Sequence, residues 1–216
     1  MKREKWFSPL NILAALLIAL LIISASVTAT LFDRGAYVRL QDKYGLAQAA
    51  GISRGEVLEN YNALIDYNSV FFQGRLEFPT LPMSDSGRTH FEEVKNIFSV
   101  FQIMLIVSAV SAAACCIALL KKRRYRFLAL GGIFALAIPA IVLGLMSAVG
   151  WDRFFVLFHE AFFSNEFWVF DAVSDPVILI LPDAFFLSCL IRIVLCIVIA
   201  SAAIITGSGL LKRART

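Results

Sequence analysis

The chain has 216 residues, 59% of them hydrophobic, with a mean hydropathy of +0.78 and a formal net charge of +4. Soluble domains carry about 45–50% apolar residues, so lipid must be the main solvent and the water-soluble classes are excluded. The positive charge gathers at the ends of apolar stretches, so it reports membrane orientation and argues against a nucleic-acid partner.

The first apolar stretch, 9–29, follows Lys2, Arg3 and Lys5. At about 20 residues for each crossing of a ~30 Å hydrocarbon core, it predicts a spanning helix. The run from Leu10 to Ile23, followed by small residues around Val27 and Ala29, also has the layout of a cleavable secretory signal. Either outcome leaves the remaining topology intact. Residues 30–96 then make a segment of about 67 residues, long enough for a small cap of mixed short helices and loop outside the bilayer. Partial alternation through Tyr37, Val38 and Leu40 allows a short strand within 31–41. Ser53 and Glu56 form a capping-box signature ahead of Val57, Leu58, Tyr61, Leu64 and Ile65, which predicts a helix over Arg54–Tyr67. Asn62, Asp66, Tyr67 and Asn68 gather polar groups at its end, as caps and turn formers or as contacts for substrate oxygens.

Residues 71–86, with Pro79, Pro82 and the turn-rich Ser84-Asp85-Ser86-Gly87, should be irregular. From about Arg88 one helix runs on into the second span, 97–120, which places His90 and Glu93 on one face just above the lipid boundary. Lys121, Lys122, Arg123, Arg124 and Arg126 separate it from the third span, 127–149, where Gly131, Gly132, Pro139 and Gly144 permit a kink and close helix approach. Residues 150–183 carry Arg153 as their only base against Asp152, Glu160, Glu166, Asp171, Asp175 and Asp183. Their run 153–163 is too short to span and too aromatic for an exposed loop, so it reads as an interfacial or re-entrant helix bearing His159. The fourth span, 184–206, holds Arg192 about two turns inside, where a charge must pair or reach water, and Lys212, Arg213 and Arg215 follow it.

Basic clusters on one side and acidic segments on the other put both termini in the cytoplasm, with 30–96 and 150–183 facing out. The expected architecture is therefore one all-α membrane domain over 1–216. It comprises four transmembrane helices, a small extracytoplasmic cap and an aromatic re-entrant or interfacial helix. Cys115, Cys116, Cys189 and Cys196 all fall in predicted spans and serve as packing residues. No ligand spacing suggests a metal, and no cofactor is expected.

His90 and His159 are the only histidines, and the topology brings both to the outer face. The ordered series Asn62, Tyr67, Ser84-Asp85-Ser86-Gly87, His90-Phe91-Glu92-Glu93-Val94-Lys95, Phe158-His159, Phe162-Phe163, Trp168 and Pro182 with Phe185-Phe186 resembles the lipoprotein intramolecular transacylase family, Lit. The likeness covers nearly the whole chain. The family's helix-entry pattern is His-Phe-x-Asp-Val-Lys; Glu93 stands here for the aspartate, one methylene longer.

The resemblance implies an integral enzyme of the Gram-positive cell membrane acting on diacylglyceryl-modified lipoproteins. It would move the sn-2 acyl chain to the α-amino group of the same lipoprotein's N-terminal cysteine, giving the lyso form. Ester-to-amide transfer runs downhill, so no nucleotide is needed, and the partners are the lipoprotein and membrane lipid. The sequence sets no oligomeric state. An N-terminal ammonium of pKa about 7.7–8.0 must lose a proton before attacking, a task suited to histidine. The expected roles are His90 as general base oriented by Glu93, and His159 as donor to the oxyanion or leaving oxygen. Asn62, Tyr67 and Arg192 are supporting candidates for holding carbonyl or glyceryl oxygens. An acyl-imidazole route and a serine-histidine pair using Ser84 or Ser86 compete with this scheme. The rival from another class is a non-enzymatic four-helix scaffold or accessory subunit.

Overall fold

The computed structural model describes residues 8–121 and 124–213. The basic residues Lys2, Arg3, Lys5, Lys122, Arg123 and Arg215, on which the orientation argument draws, lie outside the described residues. Every regular element among the described residues is a helix: α1 Pro9–Phe32, α2 Arg34–Tyr44, α3 Leu46–Ala50, α4 Arg54–Tyr67, α5 Asp85–Lys121, α6 Arg126–Val149, α7 Trp151–Phe162, α8 Val177–Ile180 and α9 Asp183–Arg213. Four of them, α1, α5, α6 and α9, are long and apolar enough to cross a membrane. At ~1.5 Å rise per residue, the 37 residues of α5 outrun a ~30 Å core by about 25 Å.

The chain forms two compact units. One draws on the segments up to Thr28, Phe101–Ala148 and from Ile191 onward. Apart from Phe127 of α6, its core is made of small and aliphatic side chains: Ala14, Ile18, Ala19 and Ile22 of α1, Ala112 and Leu119 of α5, Ala135 of α6, and Ile197 of α9. Glycines let the backbones approach. A Cβ on Gly131 would run into Ile18 and the Ala15 carbonyl, and one on Gly132 would meet Ile205 and the Ser201 carbonyl oxygen. Gly144 meets nothing within 4 Å, so it serves no such approach, and α6 continues unbroken through the buried Pro139. Ile103, Ile106, Val107 and Val110 stand exposed along α5 at the spacing of one helix face, an arrangement suited to lipid and hostile to water. All four cysteines are free.

The other unit contains Ala29–Val100 and Val149–Leu190. Here local signals set the helices. The strand allowed within 31–41 is absent; these residues end α1 and form most of α2. The physical reason lies in the buried set Tyr37, Leu40 and Gln41, which recurs at three- and four-residue spacing, with Asp33 capping Ala36 N at 3.2 Å. Gly45 closes α2 with φ 61°, a backbone state that glycine adopts without a Cβ penalty. The Ser53–Glu56 capping box is complete at the start of α4: Glu56 N donates to Ser53 Oγ at 3.2 Å and Ser53 N to Glu56 Oε2 at 2.8 Å. The helices close over a core in which Tyr37 and Tyr61 stack at 3.5 Å and the Tyr37 hydroxyl donates to the Ile180 carbonyl at 2.7 Å.

Candidate active site

The first turn of α5 fixes one half of the site. Ser84 caps it, its Oγ accepting from Gly87 N at 2.9 Å, and the Ser84 carbonyl receives Arg88 N at 3.0 Å. A carboxylate from the segment 150–183 sits on the same turn: Asp175, 3% exposed, accepts from Ser84 N at 2.8 Å, Ser84 Oγ at 2.7 Å and Ser174 Oγ at 3.0 Å. A buried carboxylate needs such donors, and the positive end of a helix favours it. Asp175 fits only because position 87 is glycine; a Cβ there would strike Asp175 Oδ1 and crowd Phe170. The sequence Ser84-Asp85-Ser86-Gly87 is thus a helix start locked by an acid 91 positions away. The Ser84 hydroxyl is committed to Asp175, which leaves it poorly placed to be a nucleophile.

One turn and a half further on, the His90 ring is 5% exposed and packed by Phe163 at 4.7 Å and Phe170 at 5.5 Å between centroids. From α7 comes His159, 9% exposed, against Phe155 at 4.2 Å, Trp168 at 4.6 Å and Phe163 at 5.6 Å. The two imidazole centroids are 6.1 Å apart, with an interplanar angle of 35°. His159 Nδ1 lies 2.7 Å from the Phe155 carbonyl oxygen, which can only accept; Nδ1 therefore carries a hydrogen and Nε2 is the free position of the ring.

Electrostatics separate the pair. Burial, and secondly the charge of His159, push His90 down to about 4. Burial lowers His159 too, but its bond to the Phe155 carbonyl and the nearby Asp183 carboxylate pull the other way. Both groups lie outside the long apolar stretches, in the unit of Ala29–Val100 and Val149–Leu190. Glu93 stands beside His90, its Oε2 4.0 Å from Nδ1, while its Oε1 accepts from Asn165 Nδ2 at 2.7 Å.

The remaining sequence candidates are dispersed. Asn62 Oδ1 accepts from Arg34 Nη1 at 3.0 Å, within the α2–α4 packing. Tyr67 is buried against Phe72, with the Lys95 ammonium 4.3 Å over its ring. Arg192 is half-buried and belongs to the other unit. Asn165 was not among the candidates, since an asparagine just past a helix reads as a turn former, and Asp175 before Pro176 reads the same way.

Two buried imidazoles among aromatic side chains can move protons, as acyl transfer between oxygen and nitrogen requires. A family model described as lipoprotein intramolecular transacylase Lit matches residues 12–186. The chain belongs to the Lit family. It is correspondingly an acyltransferase acting on lipoproteins, which sets aside the scaffold reading. The in meso structure of the membrane integral Lit from Bacillus cereus is 34% identical and superposes with a TM-score of 0.91 over 95% of each chain. Two further structures of Bacillus cereus Lit, with a histidine replaced by arginine or by alanine, are likewise 34% identical, each with a TM-score of 0.86. They cover 95% of this chain and 92% and 93% of theirs. No curated protein sequence matched the chain. Membership in the Lit family and the four long apolar helices make it a multi-pass membrane protein.

Proposed function

We propose that this protein moves the sn-2 acyl chain of a diacylglyceryl-modified lipoprotein from the glyceryl oxygen to the α-amino group of that lipoprotein's N-terminal cysteine. The site faces outward from a bacterial cell membrane, with both chain termini in the cytoplasm, and His90 and His159 transfer the protons. The observation that carries this reading is the pair itself: two buried imidazoles 6.1 Å apart in unequal surroundings.

Two titratable groups whose environments separate their pKa values divide into base and acid. His90, the more depressed, stays neutral; Glu93 at Nδ1 leaves Nε2 with the lone pair that receives a proton from the substrate ammonium. His159, whose Nδ1–H is tied to Phe155, presents a bare Nε2 that takes the second proton from the nitrogen after its attack and returns it to the glyceryl oxygen as that oxygen leaves. The amine nitrogen attacks the ester carbonyl carbon, the C–N bond forms and the C–O bond to glycerol breaks. In passing from ammonium to amide the nitrogen gives up two protons; one ends on the glyceryl hydroxyl and one leaves to solvent. Donor and acceptor belong to one substrate molecule, so holding them together supplies a further large part of the rate.

Mass spectrometry of a lipoprotein N-terminus tests this, after expression in a host lacking N-acylation. The wild type should yield the N-acyl, S-monoacylglyceryl form, and His90→Ala and His159→Ala should leave the diacylglyceryl form. Unconverted substrate with well-folded wild-type protein would remove the reading. Hydroxylamine capture of an acyl-enzyme would replace direct transfer by the acyl-imidazole route.

A further inference from the structure

The carboxylate beside His90 has its own support. Glu93 is a long side chain, 31% exposed, and left alone it would swing toward water. Its Oε1 instead accepts from Asn165 Nδ2 at 2.7 Å, a charge-assisted bond. The other end of the same amide is also engaged, Phe167 N donating to Asn165 Oδ1 at 3.0 Å. Only the NH2 group can serve a carboxylate and only the carbonyl can serve an N–H, so the two partners together fix the amide's orientation. With Oε1 held, Oε2 is directed at His90 Nδ1, 4.0 Å away; both of these atoms are buried, and neither has a hydrogen-bond partner among the described residues. A separation of this size closes when the imidazole acquires charge, as catalytic hydrogen bonds commonly tighten on the way to the transition state.

We propose that Asn165 is a positioning residue for the acyl transfer, holding Glu93 where it can orient and stabilise the His90 imidazole. This rests on His90 acting as base with Glu93 as its carboxylate. Asn165 lies six positions beyond His159, so the segment that supplies one histidine also sets the partner of the other. Aspartate would keep the acceptor for Phe167 N and lose the donor to Glu93, setting carboxylate against carboxylate.

A double-mutant cycle on full-length protein in lipid, scored by conversion of a synthetic diacylglyceryl lipopeptide, tests the coupling. Asn165→Ala and Asn165→Asp should each lower kcat about ten-fold with KM little changed, the pattern of an interaction made mainly in the transition state. Glu93→Gln should lower kcat at least as far, and adding Asn165→Ala to it should cost nothing more. Losses that multiply, or an Asn165→Asp protein with wild-type kcat, would overturn the positioning role while leaving the base assignment standing. A fully active Glu93→Gln would overturn both. Asn165→Asp preserves size and the Phe167 contact, so it separates lost positioning from lost folding, and thermal melting in detergent records any difference.

Discussion

The two units of this molecule use different physics to do comparable packing. In the membrane-spanning unit, alanine and glycine let helix backbones approach closely, and small and aliphatic side chains make most of the core. In the other unit the helices of residues 34–67 are short, α2 and α4 carry side-chain caps, tyrosines join the aliphatic core, and aromatic rings pack against two buried imidazoles. Lipid gives little hydrophobic reward for bringing helices together, so close contact must supply it; water rewards burial and demands that each buried polar atom be paired. Titratable chemistry is therefore concentrated where polar groups can be both buried and supported.

The largest break in this comparison comes from the histidines. His90→Ala or His159→Ala should lower transacylation by roughly 10²–10⁴-fold, the usual worth of general acid–base catalysis, in the lipopeptide assay. A substitution in the core of the spanning unit, such as Ile197→Val, should leave kcat within about two-fold, since it costs only ~0.5–1.5 kcal/mol of packing.

Next is pH. His90 titrates at about 4 in the folded protein and at about 6.5 when unfolded. Between those values the unfolded chain binds a proton that the folded one refuses. Stability is thus complete above the unfolded value and falls as pH drops toward 4, by up to about 3 kcal/mol. Melting temperature followed from pH 7 to pH 4 in detergent should decline, and His90→Phe should flatten the curve. His159, also lowered, adds in the same direction. A wild-type curve as flat as that of His90→Phe would contradict the buried, neutral imidazole.

Glycine substitutions sharpen the contrast at smaller scale. Gly87→Ala should destabilise by about 1–3 kcal/mol and depress activity as well, because the new methyl displaces Asp175 from the start of α5. Gly131→Ala should cost a similar amount through Ile18 and leave kcat unchanged in protein that stays folded. Gly144→Ala, with nothing near its Cβ, should be stabilising by up to about 1 kcal/mol, the gain in helix propensity. These three melting temperatures rank the notches.

The spans and the α4 capping box were legible in the sequence because each is a local pattern, an apolar run or a pair three residues apart. The α2 helix was legible only in part, because Gln41 interrupts its apolar face, and what remains of Tyr37, Val38 and Leu40 looks alternating enough to allow a strand; only tertiary burial of the glutamine restores the helical period. At the site, two histidines on one face could be found by counting and topology. Their supports could not: Asp175 reaches Ser84 across 91 positions, and Asn165 reaches Glu93 across 72. No periodicity records such pairings.

The unbroken course of α5 carries one more consequence, concerning insertions and deletions. His90 precedes the apolar stretch at position 97 by seven helical residues, a rise of about 10 Å. One residue added to that interval would lift the imidazole by about 1.5 Å and swing it by about 100°, away from His159. The irregular stretch between Tyr67 and Asp85 has no helical register to keep; it is tied only at points, where Phe72, Leu76, Thr80 and Ser84 meet Lys95, Arg88, Asn60 and Asp175. Length variation among proteins built on this plan should therefore collect between those points and spare the interval from 90 to 97.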